Sequence, residues 1–434
     1  MKLRNVVLVD GARSAYARGG RGKLVATRMD EAAAKVLRGL LDRNPKVKDA
    51  MIEDIGLGNV IGTPEVTMLG GIARLAGLPN ETCNFVSNRQ CGSSMETLHR
   101  VATSIMVGSI DCGVAMGVER MGRSLMGGRG GGKETRVTGF NMKLLEMNKV
   151  QRNMAPDHDE YFSRPVPDYI LDSMPMQSMV QTAQNVAEMY GLTREELDKF
   201  AVESHRKATE AYEKGIYRDE IIPLEVEDPV FGEDKAWVEA EKGEMVTFDR
   251  DECVRPGTNL EALSKLSPIK GTLSFGKKEI VITAGNSCPT NDGISAAILM
   301  SEEMALKLGL EPLARIAGLG VGGVKPQLMG IGPVVSTKKA LRHAGIEAGQ
   351  IDRVEFNEAF AAQVIPSVAD LGLDPAKVNV NGGSLAIGHP LGSTGVRLAI
   401  TTALELRRSK TKYGLGTQCI GAGMGISTIL ESLD

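Results

Sequence analysis

The sequence predicts an α/β fold built twice. Three observations carry this. Strand-like and helix-like segments alternate as βαβα over residues 6–118. A second alternation of the same kind runs over residues 314–430. The two runs match segment by segment at a shift of about 300 residues, the self-similarity of a repeated unit. Such alternation predicts a mostly parallel sheet covered by helices. Two similar halves are expected to pack about a pseudo-twofold axis. Loops at the carboxyl ends of strands from both halves would then converge, where open α/β sheets place ligands.

In the first run, Val6–Val9 is an apolar strand, Ala32–Leu41 a helix, Ile52–Val60 extended and Met68–Leu75 helical. The run Cys83–Val86 arrives as a buried strand. Ser87, Asn88 and Arg89 break it, and Cys91-Gly92-Ser93-Ser94 opens a helix whose apolar residues Met95, Leu98, Val101, Ile105 and Met106 recur at helical spacing. Cys112–Val118 is the next strand. Cys91 is therefore expected at a strand-to-helix turn, where unpaired backbone N–H groups and the positive end of the helix dipole favour a thiolate. A buried structural cysteine is the bland alternative.

The pattern breaks after Glu119. Met121–Lys133 is rich in Gly and Arg, Asn141–Arg152 carries excess Lys and Arg, and Pro156, Pro165, Pro167 and Pro175 punctuate an irregular stretch. Helices are predicted at Gln181–Tyr190 and Arg194–Lys214. Residues 120–250 thus read as an insertion covering the top of the sheet. Sheet-like sequence resumes at Glu279–Ala284 and Ser295–Met300. The second run follows: Ala314–Val321 strand, Val335–Ala344 helix, Ile351–Phe356 extended, Ala359–Leu371 helix, Val378–Val380 extended, Thr394–Leu406 helix, and strands at Tyr413–Cys419 and Met424–Leu430.

Composition narrows the function classes. The chain has 434 residues, enough for two cores and a third smaller domain. A net charge of −3 gives no basic excess that would point to nucleic acid. Six scattered cysteines, with no CxxC pair and no Cys/His cluster, indicate neither a disulfide framework nor a metal site. No signal peptide, membrane span or peroxisomal address is read, so a cytoplasmic location is expected.

Three loops of the second run carry candidate chemistry, each at a strand end. They are Asn357-Glu358-Ala359-Phe360, Asn381-Gly382-Gly383-Ser384 through Gly388-His389-Pro390, and Cys419-Ile420-Gly421-Ala422-Gly423-Met424-Gly425. Singly, each has an ordinary reading: a helix cap, a turn, a packed strand end. With Cys91 they supply a nucleophile, an imidazole, a second thiol and close backbone N–H groups, the parts of an acyl-transfer site.

NRQCGSS (88–94), NEAFAAQ (357–363), NGGSLAIGHPLGSTG (381–395) and CIGAGMG (419–425) resemble, in order and spacing, the motifs of the thiolase family. The likeness covers essentially the whole chain and is greatest to the degradative 3-ketoacyl-CoA thiolases (acetyl-CoA C-acyltransferases). It implies a five-layer αβαβα fold with an inserted loop domain: residues 1–119 and 251–308 as the N-terminal half, 120–250 as the loop domain over the active site, and 309–434 as the C-terminal half. It implies that Cys91 is acylated, that His389 helps activate it and that Cys419 is the acid/base. One oxyanion hole would come from His389 and a water held by Asn357, the other from the N–H groups of Cys91 and Gly421. Coenzyme A would be a substrate, with no permanently bound cofactor and no metal.

Arg255 stands where the family carries an Arg near the nucleotide. Met179, Ala284 and Ala359 match pantetheine-contacting positions, and Phe360, Ser287 and Cys288 adjoin them. Cys288 replaces a usual Ser, so either it substitutes or Ser287 takes over. Ser178 stands where biosynthetic members commonly have His, which leans towards the degradative branch. A homodimer or homotetramer is expected, with a hydratase/dehydrogenase subunit as a candidate partner. The alternatives are an acetoacetyl-CoA thiolase acting in condensation, a ketoacyl-ACP synthase type, and a non-catalytic lipid or CoA binder. Asn357 and Cys419 argue against the second, and retention of all four reactive residues against the third.

Overall fold

The structure, a computed structural model, describes residues 3–67, 70–122, 178–233, 237–238, 241–274 and 278–433. The basic segment Asn141–Arg152, most of Met121–Lys133 and Met68 of an expected helix lie outside the described residues. The strands are β1 Val6–Arg13, β2 Ala17–Arg18, β3 Asp54–Gly58, β4 Cys83–Ser87, β5 Cys112–Arg120, β6 Leu224–Glu227, β7 Met245–Phe248, β8 Asn291–Ser301, β9 Ala314–Gly323, β10 Arg353–Phe356, β11 Tyr413–Ile420 and β12 Met424–Glu431. The longer helices are α1 Met29–Asp42, α2 Ser93–Met106, α3 Met179–Tyr190, α4 Arg194–Glu213, α5 Gly332–Ala344, α6 Ala361–Asp370 and α7 Thr394–Ser409.

The two runs fold alike. One gives the strand order β4-β3-β5-β8-β1 and the other β10-β11-β12-β9. Val378 bridges Val354 of β10 in parallel, in the place that β4 holds in the first half. The halves join at a short seam, where Val7 and Leu8 of β1 pair with Arg315 and Ala314 of β9.

The sheet is mixed, which corrects the mostly parallel expectation. Pairs β3–β4, β3–β5 and β10–β11 are parallel. Pairs β1–β8, β5–β8, β9–β12 and β11–β12 are antiparallel. The reason is the last strand of each half. β12 follows β11 through the tight turn Gly421–Gly423, and so short a connection can only reverse the chain. β8 returns from the insertion to lie between β1 and β5, buried along its whole length.

Helices α2 and α7 form the middle layer. α7 packs on β10 and β11 of its own half and on β1, β5 and β8 of the other, while α2 reaches from β3 and β5 across to β12. A helix covered on both faces must be apolar nearly all round. Accordingly α7 buries residues on every side, Val396, Leu398, Ala399, Ile400 and Ala403 among them. α1 lies on the outer face of the first half and α5 on that of the second. α1 needs only one apolar face, and it buries Ala32, Val36, Leu37, Leu40 and Leu41 while Asp30 and Glu31 stand in its first turn.

Two local expectations change. Glu279–Ala284 is irregular rather than a strand, because side chains take its backbone donors: Val281 N–H bonds Gln184 Oε1 at 3.0 Å and Thr283 N–H bonds Asn286 Oδ1 at 2.9 Å. The insertion contains an unanticipated hairpin, β6 with β7. A buried guanidinium ties the insertion to the core. Arg13 of β1 bonds Glu220 Oε1 at 2.7 Å and both oxygens of Asp251 at 2.8 and 2.9 Å. Removing one partner of such a buried pair typically costs about 3–5 kcal/mol.

Candidate active site

Cys91 stands where the sequence places it, between β4 and α2. Gln90 just before it takes a left-handed conformation, φ 48°, which L-residues adopt only when held. Ser93 holds it: its Oγ accepts from Arg89 N–H at 3.0 Å and donates to the Gln90 carbonyl at 2.6 Å. A Cβ at Gly92 would lie 2.4 Å from Ile420 Cδ1, so any larger residue there would have to displace the Ile420 side chain. The turn therefore packs directly on the end of β11, where Gln418 Nε2 donates to the Cys91 carbonyl at 2.6 Å. The N–H groups of Gly421 and of Cys91 itself lie close enough to the Cys91 sulfur to pull its pKa down.

The expected thiolate is not the resting form. Burial pushes the Cys91 thiol up to about 11, against the pull of those two N–H groups. The helix start helps less than desolvation hurts.

Asn357 follows β10, its N–H bonded to Thr417 O at 2.9 Å. Its side-chain Nδ2 lies 3.3 Å from His389 Nε2, and its Oδ1 accepts from Ser384 Oγ at 2.7 Å. His389 sits between Gly388, φ +115°, and Pro390; a Cβ at Gly388 would lie 2.6 Å from Asn291 Cγ. That same Asn291 receives the His389 N–H at 2.9 Å. His389 Nδ1 is 2.7 Å from Thr394 Oγ1 at the start of α7. Burial, with the Arg397 charge, lowers the His389 pKa to about 3, so the imidazole is neutral.

Cys419 is fully buried on β11. Burial pushes its thiol well up, the nearby Cys91 adding to the effect, while the amides of Gln363 and Asn357 pull it back. The pseudo-twofold axis explains why these groups meet: the starts of α2 and α7 abut so closely that a Cβ at Gly395 would lie 2.4 Å from Met95 N. Behind them, buried Glu119 pins the adjoining loops by accepting from Val60, Ile61 and Gly392 N–H at 3.1, 3.2 and 2.8 Å.

The candidate coenzyme A positions divide. Ala359, Phe360 and Cys419 share one buried apolar cluster, against which Met179 and Cys288 pack. Cys288 N–H bonds Ala359 O at 3.0 Å, and Ser287 bridges Phe360. Ser287 Oγ donates into its own turn, to Thr283 O at 2.7 Å. The Cys288 thiol instead lies within electrostatic reach of Cys91 and Cys419, and burial first, then those two thiols, hold its pKa well up. Ala284 and Arg255 are exposed and stand outside this cluster. Arg255 is anchored by its N–H to His205 Nδ1 at 3.2 Å.

Several contributing residues escape the sequence reading. Gln363, inside the quoted NEAFAAQ, holds Cys419. Ser384, inside the glycine loop, holds Asn357. Arg397, on what reads as an ordinary helix, donates to Ser384 Oγ at 2.9 Å. Their motif positions were legible, but no spacing says which backbone turn a long polar side chain will reach. Among the described residues no group of three or more His, Cys, Asp or Glu could hold a metal ion. The assembled site offers two buried thiols, a neutral imidazole, a carboxamide and two N–H groups converging on one sulfur. That set can form and break a thioester and move a proton.

The models for the thiolase N-terminal domain and the thiolase C-terminal domain match residues 6–303 and 310–432. A 3-ketoacyl-CoA thiolase of Aliivibrio fischeri is 38% identical over 434 residues, covering 99% of this chain and 100% of that one. The acetyl-CoA acetyltransferase of Bacillus anthracis superposes with a TM-score of 0.81 at 32% identity, and the human mitochondrial 3-ketoacyl-CoA thiolase with 0.79 at 31%, each covering 100% of both chains.

Proposed function

The chain belongs to the thiolase family and is an acyltransferase, and on that premise we propose that it cleaves 3-ketoacyl-CoA with coenzyme A, giving acetyl-CoA and an acyl-CoA two carbons shorter. The observation that carries this reading is the meeting of Cys91, Cys419 and the Asn357–His389 pair in one buried site. His389 Nε2 takes the Cys91 proton, and the thiolate attacks C3. The oxyanion rests on the N–H groups of Cys91 and Gly421. Collapse breaks the C2–C3 bond, leaving an acyl-cysteine and the enolate of acetyl-CoA. His389 Nε2–H and a water on Asn357 receive the enolate oxygen, and Cys419 protonates its carbon. The thiol of coenzyme A then returns a proton to Cys419 and carries the acyl group away. Each oxyanion donor is expected to be worth about 3–4 kcal/mol of barrier.

Met179, Cys288, Ala359 and Phe360 are proposed to line the pantetheine arm, with Arg255 towards the nucleotide and Ala284 and Ser287 beside the arm. Residues 120–250 would cover the acyl chain. A cytoplasmic homo-oligomer serving fatty-acid β-oxidation fits the six free thiols and the 3-ketoacyl-CoA thiolase relative. No helix among the described residues is long and apolar enough to cross a membrane.

The likeness to an acetyl-CoA acetyltransferase favours a second reading, acetoacetyl-CoA thiolase acting in condensation. Ser178, which caps α3 by accepting from Gln181 N–H at 3.2 Å, leans the other way, because it replaces the His common in biosynthetic relatives. Thiolysis rates over a ladder of 3-ketoacyl-CoA lengths decide between them. The proposal expects activity beyond the four-carbon substrate, and strict preference for acetoacetyl-CoA would overturn it.

A further inference from the structure

One hydrogen-bond chain runs through both Asn357 and His389, and its two ends have fixed character. At one end is the guanidinium of Arg397, which can only donate. Its Nη1 bonds Glu355 Oε2 at 2.7 Å and its Nη2 bonds Ser384 Oγ at 2.9 Å. Ser384 therefore accepts from Arg397 and turns its own proton to Asn357 Oδ1, 2.7 Å away. At the other end is the carbonyl of Pro390, which can only accept. Thr394 Oγ1 donates to it at 2.9 Å, so the hydroxyl oxygen is left to accept from His389 Nδ1–H at 2.7 Å.

Between these ends the direction is forced. Asn357 Oδ1 is committed to Ser384, so its NH2 faces His389. With Nδ1 protonated, Nε2 carries a lone pair and accepts from Asn357 at 3.3 Å. The reverse tautomer would set Nε2–H against the Asn357 NH2, donor against donor, and would turn the Thr394 hydroxyl away from the Pro390 carbonyl, which the N–H groups of Ser393 and Thr394 also reach at 2.9 and 3.0 Å. A flipped Asn357 would set its oxygen against the Nε2 lone pair.

We propose that Ser384 and Arg397 are positioning residues, which fix the Asn357 amide and the His389 tautomer so that Nε2 is free to take the Cys91 proton. Neither touches the reacting atoms. Once Nε2 is protonated it can no longer accept from Asn357, and its N–H turns to the substrate oxygen beside the water held by Asn357. The catalytic part of this inference rests on the thiolase reading above. The tautomer part does not.

The test uses full-length protein labelled with 15N-histidine, in which long-range 1H–15N spectra separate an Nδ1–H ring from an Nε2–H ring. His389→Asn assigns the signal. The unmutated protein should show His389 as Nδ1–H. Ser384→Ala should give a mixture of tautomers and a ten- to hundredfold fall in thiolysis kcat, with KM changed less than threefold. Ser384→Thr restores a hydroxyl and should restore both readouts. Arg397→Lys keeps a donor-only group and should keep the tautomer, so it tests the chain if Ser384→Ala does not fold. An Nε2–H ring in the unmutated protein, or in Arg397→Lys, would overturn the proposal. So would an unchanged tautomer and kcat in Ser384→Ala. Absence of thiolysis in every protein, with the tautomer still shifting in Ser384→Ala, would sink the functional reading and leave the positioning role standing.

Discussion

Gln363 grips Cys419 with both ends of one amide. Its Nε2 donates to the sulfur at 3.0 Å, and its Oε1 accepts from the thiol at 3.2 Å. The same Nε2 also reaches Asn357 O at 3.0 Å, which ties the grip to the neighbouring loop. One residue can thus serve either charge state of the thiol. The N–H stabilises the thiolate, and the carbonyl orients the neutral S–H. Cys419 needs both services, because burial disfavours its ionised form.

Gln363→Leu should therefore slow the step that ionises Cys419. A hydrogen bond to a charged group contributes about 1.5–3 kcal/mol, or about one to two pH units. The rate at which the protein exchanges the α-protons of acetyl-CoA into deuterated solvent should fall tenfold or more at neutral pH. Its rise with pH should move upward by that interval. A pH profile superposable on that of the unmutated protein would show that the amide has no part in the proton transfer.

Asn357→Ala separates the two proposed oxyanion sites. Acyl transfer to Cys91 uses the N–H groups of Cys91 and Gly421, which this substitution leaves in place. Carbon–carbon cleavage uses the Asn357 side. Single-turnover acylation should stay within about fivefold, while thiolysis of a 3-ketoacyl-CoA should drop by two orders of magnitude or so, as expected for one lost donor. Equal losses in both would mean that the division is wrong.

The Cys91 turn was legible because three local signals agree there: a strand that ends, small residues, and a helix that begins. Asn357 likewise follows a strand, β10, and the Cys419 motif turns from β11 into β12, whereas the expected extended stretch Val378–Val380 before the Asn381–Pro390 loop keeps only the single bridge at Val378; the repeat correctly pairs β3 with β10 and β5 with β11. What stayed hidden depends on distance in the chain. β8 follows a long insertion, and an apolar run carries no mark of its direction, so its antiparallel place between β1 and β5 could not be read. Arg397 sits on a helix like any surface charge until the fold sandwiches that helix between the two halves of the sheet. The pKa direction of Cys91 was misjudged for a related reason. A helix start is visible in sequence, whereas the depth of burial that outweighs it is set by the second half of the chain.

His99 gives a test of stability outside the site. It is buried on α2 with Nε2 2.9 Å from Thr428 Oγ1. Burial, with the charges of Arg89 and His343, lowers its pKa to about 3. In the unfolded chain the ring titrates near 6.5. As pH falls below that value the unfolded state takes up a proton that the folded state refuses, so stability is lost between about pH 6.5 and pH 3. From pH 7 to pH 5 this single ring should remove about 2 kcal/mol. His99→Gln lacks the ring, and every other titrating group is shared by both proteins. Urea unfolding at the two pH values should therefore show the unmutated protein losing about 2 kcal/mol more than the variant. Equal losses would mean that the folded ring accepts its proton as readily as a free one.

Three thiols stand near one another in the site, and only one is expected to carry the acyl group. Burial raises all of them, so none is a ready thiolate. They differ in what faces the sulfur. Each thiol feels its own backbone N–H, but Cys91 has that of Gly421 as well, donors that can hold the oxyanion when a thioester forms there. Cys419 is occupied by the Gln363 amide. Cys288 packs at the margin of the apolar cluster. Brief incubation with acetyl-CoA or a longer acyl-CoA, followed by peptide mapping, should therefore place the mass increment on the peptide containing Cys91. Cys91→Ala should carry no label, even though both other thiols remain. Cys288→Ser should still be labelled at Cys91, because the replaced thiol lacks the second N–H donor that Gly421 gives Cys91. Cys419→Ser should likewise be labelled at Cys91 but barely turn over, since a hydroxyl at that position is too weak an acid to protonate the enolate. Label on Cys288 or Cys419 with Cys91 free would reject the assignment, and the two N–H groups at Cys91 would then need another purpose.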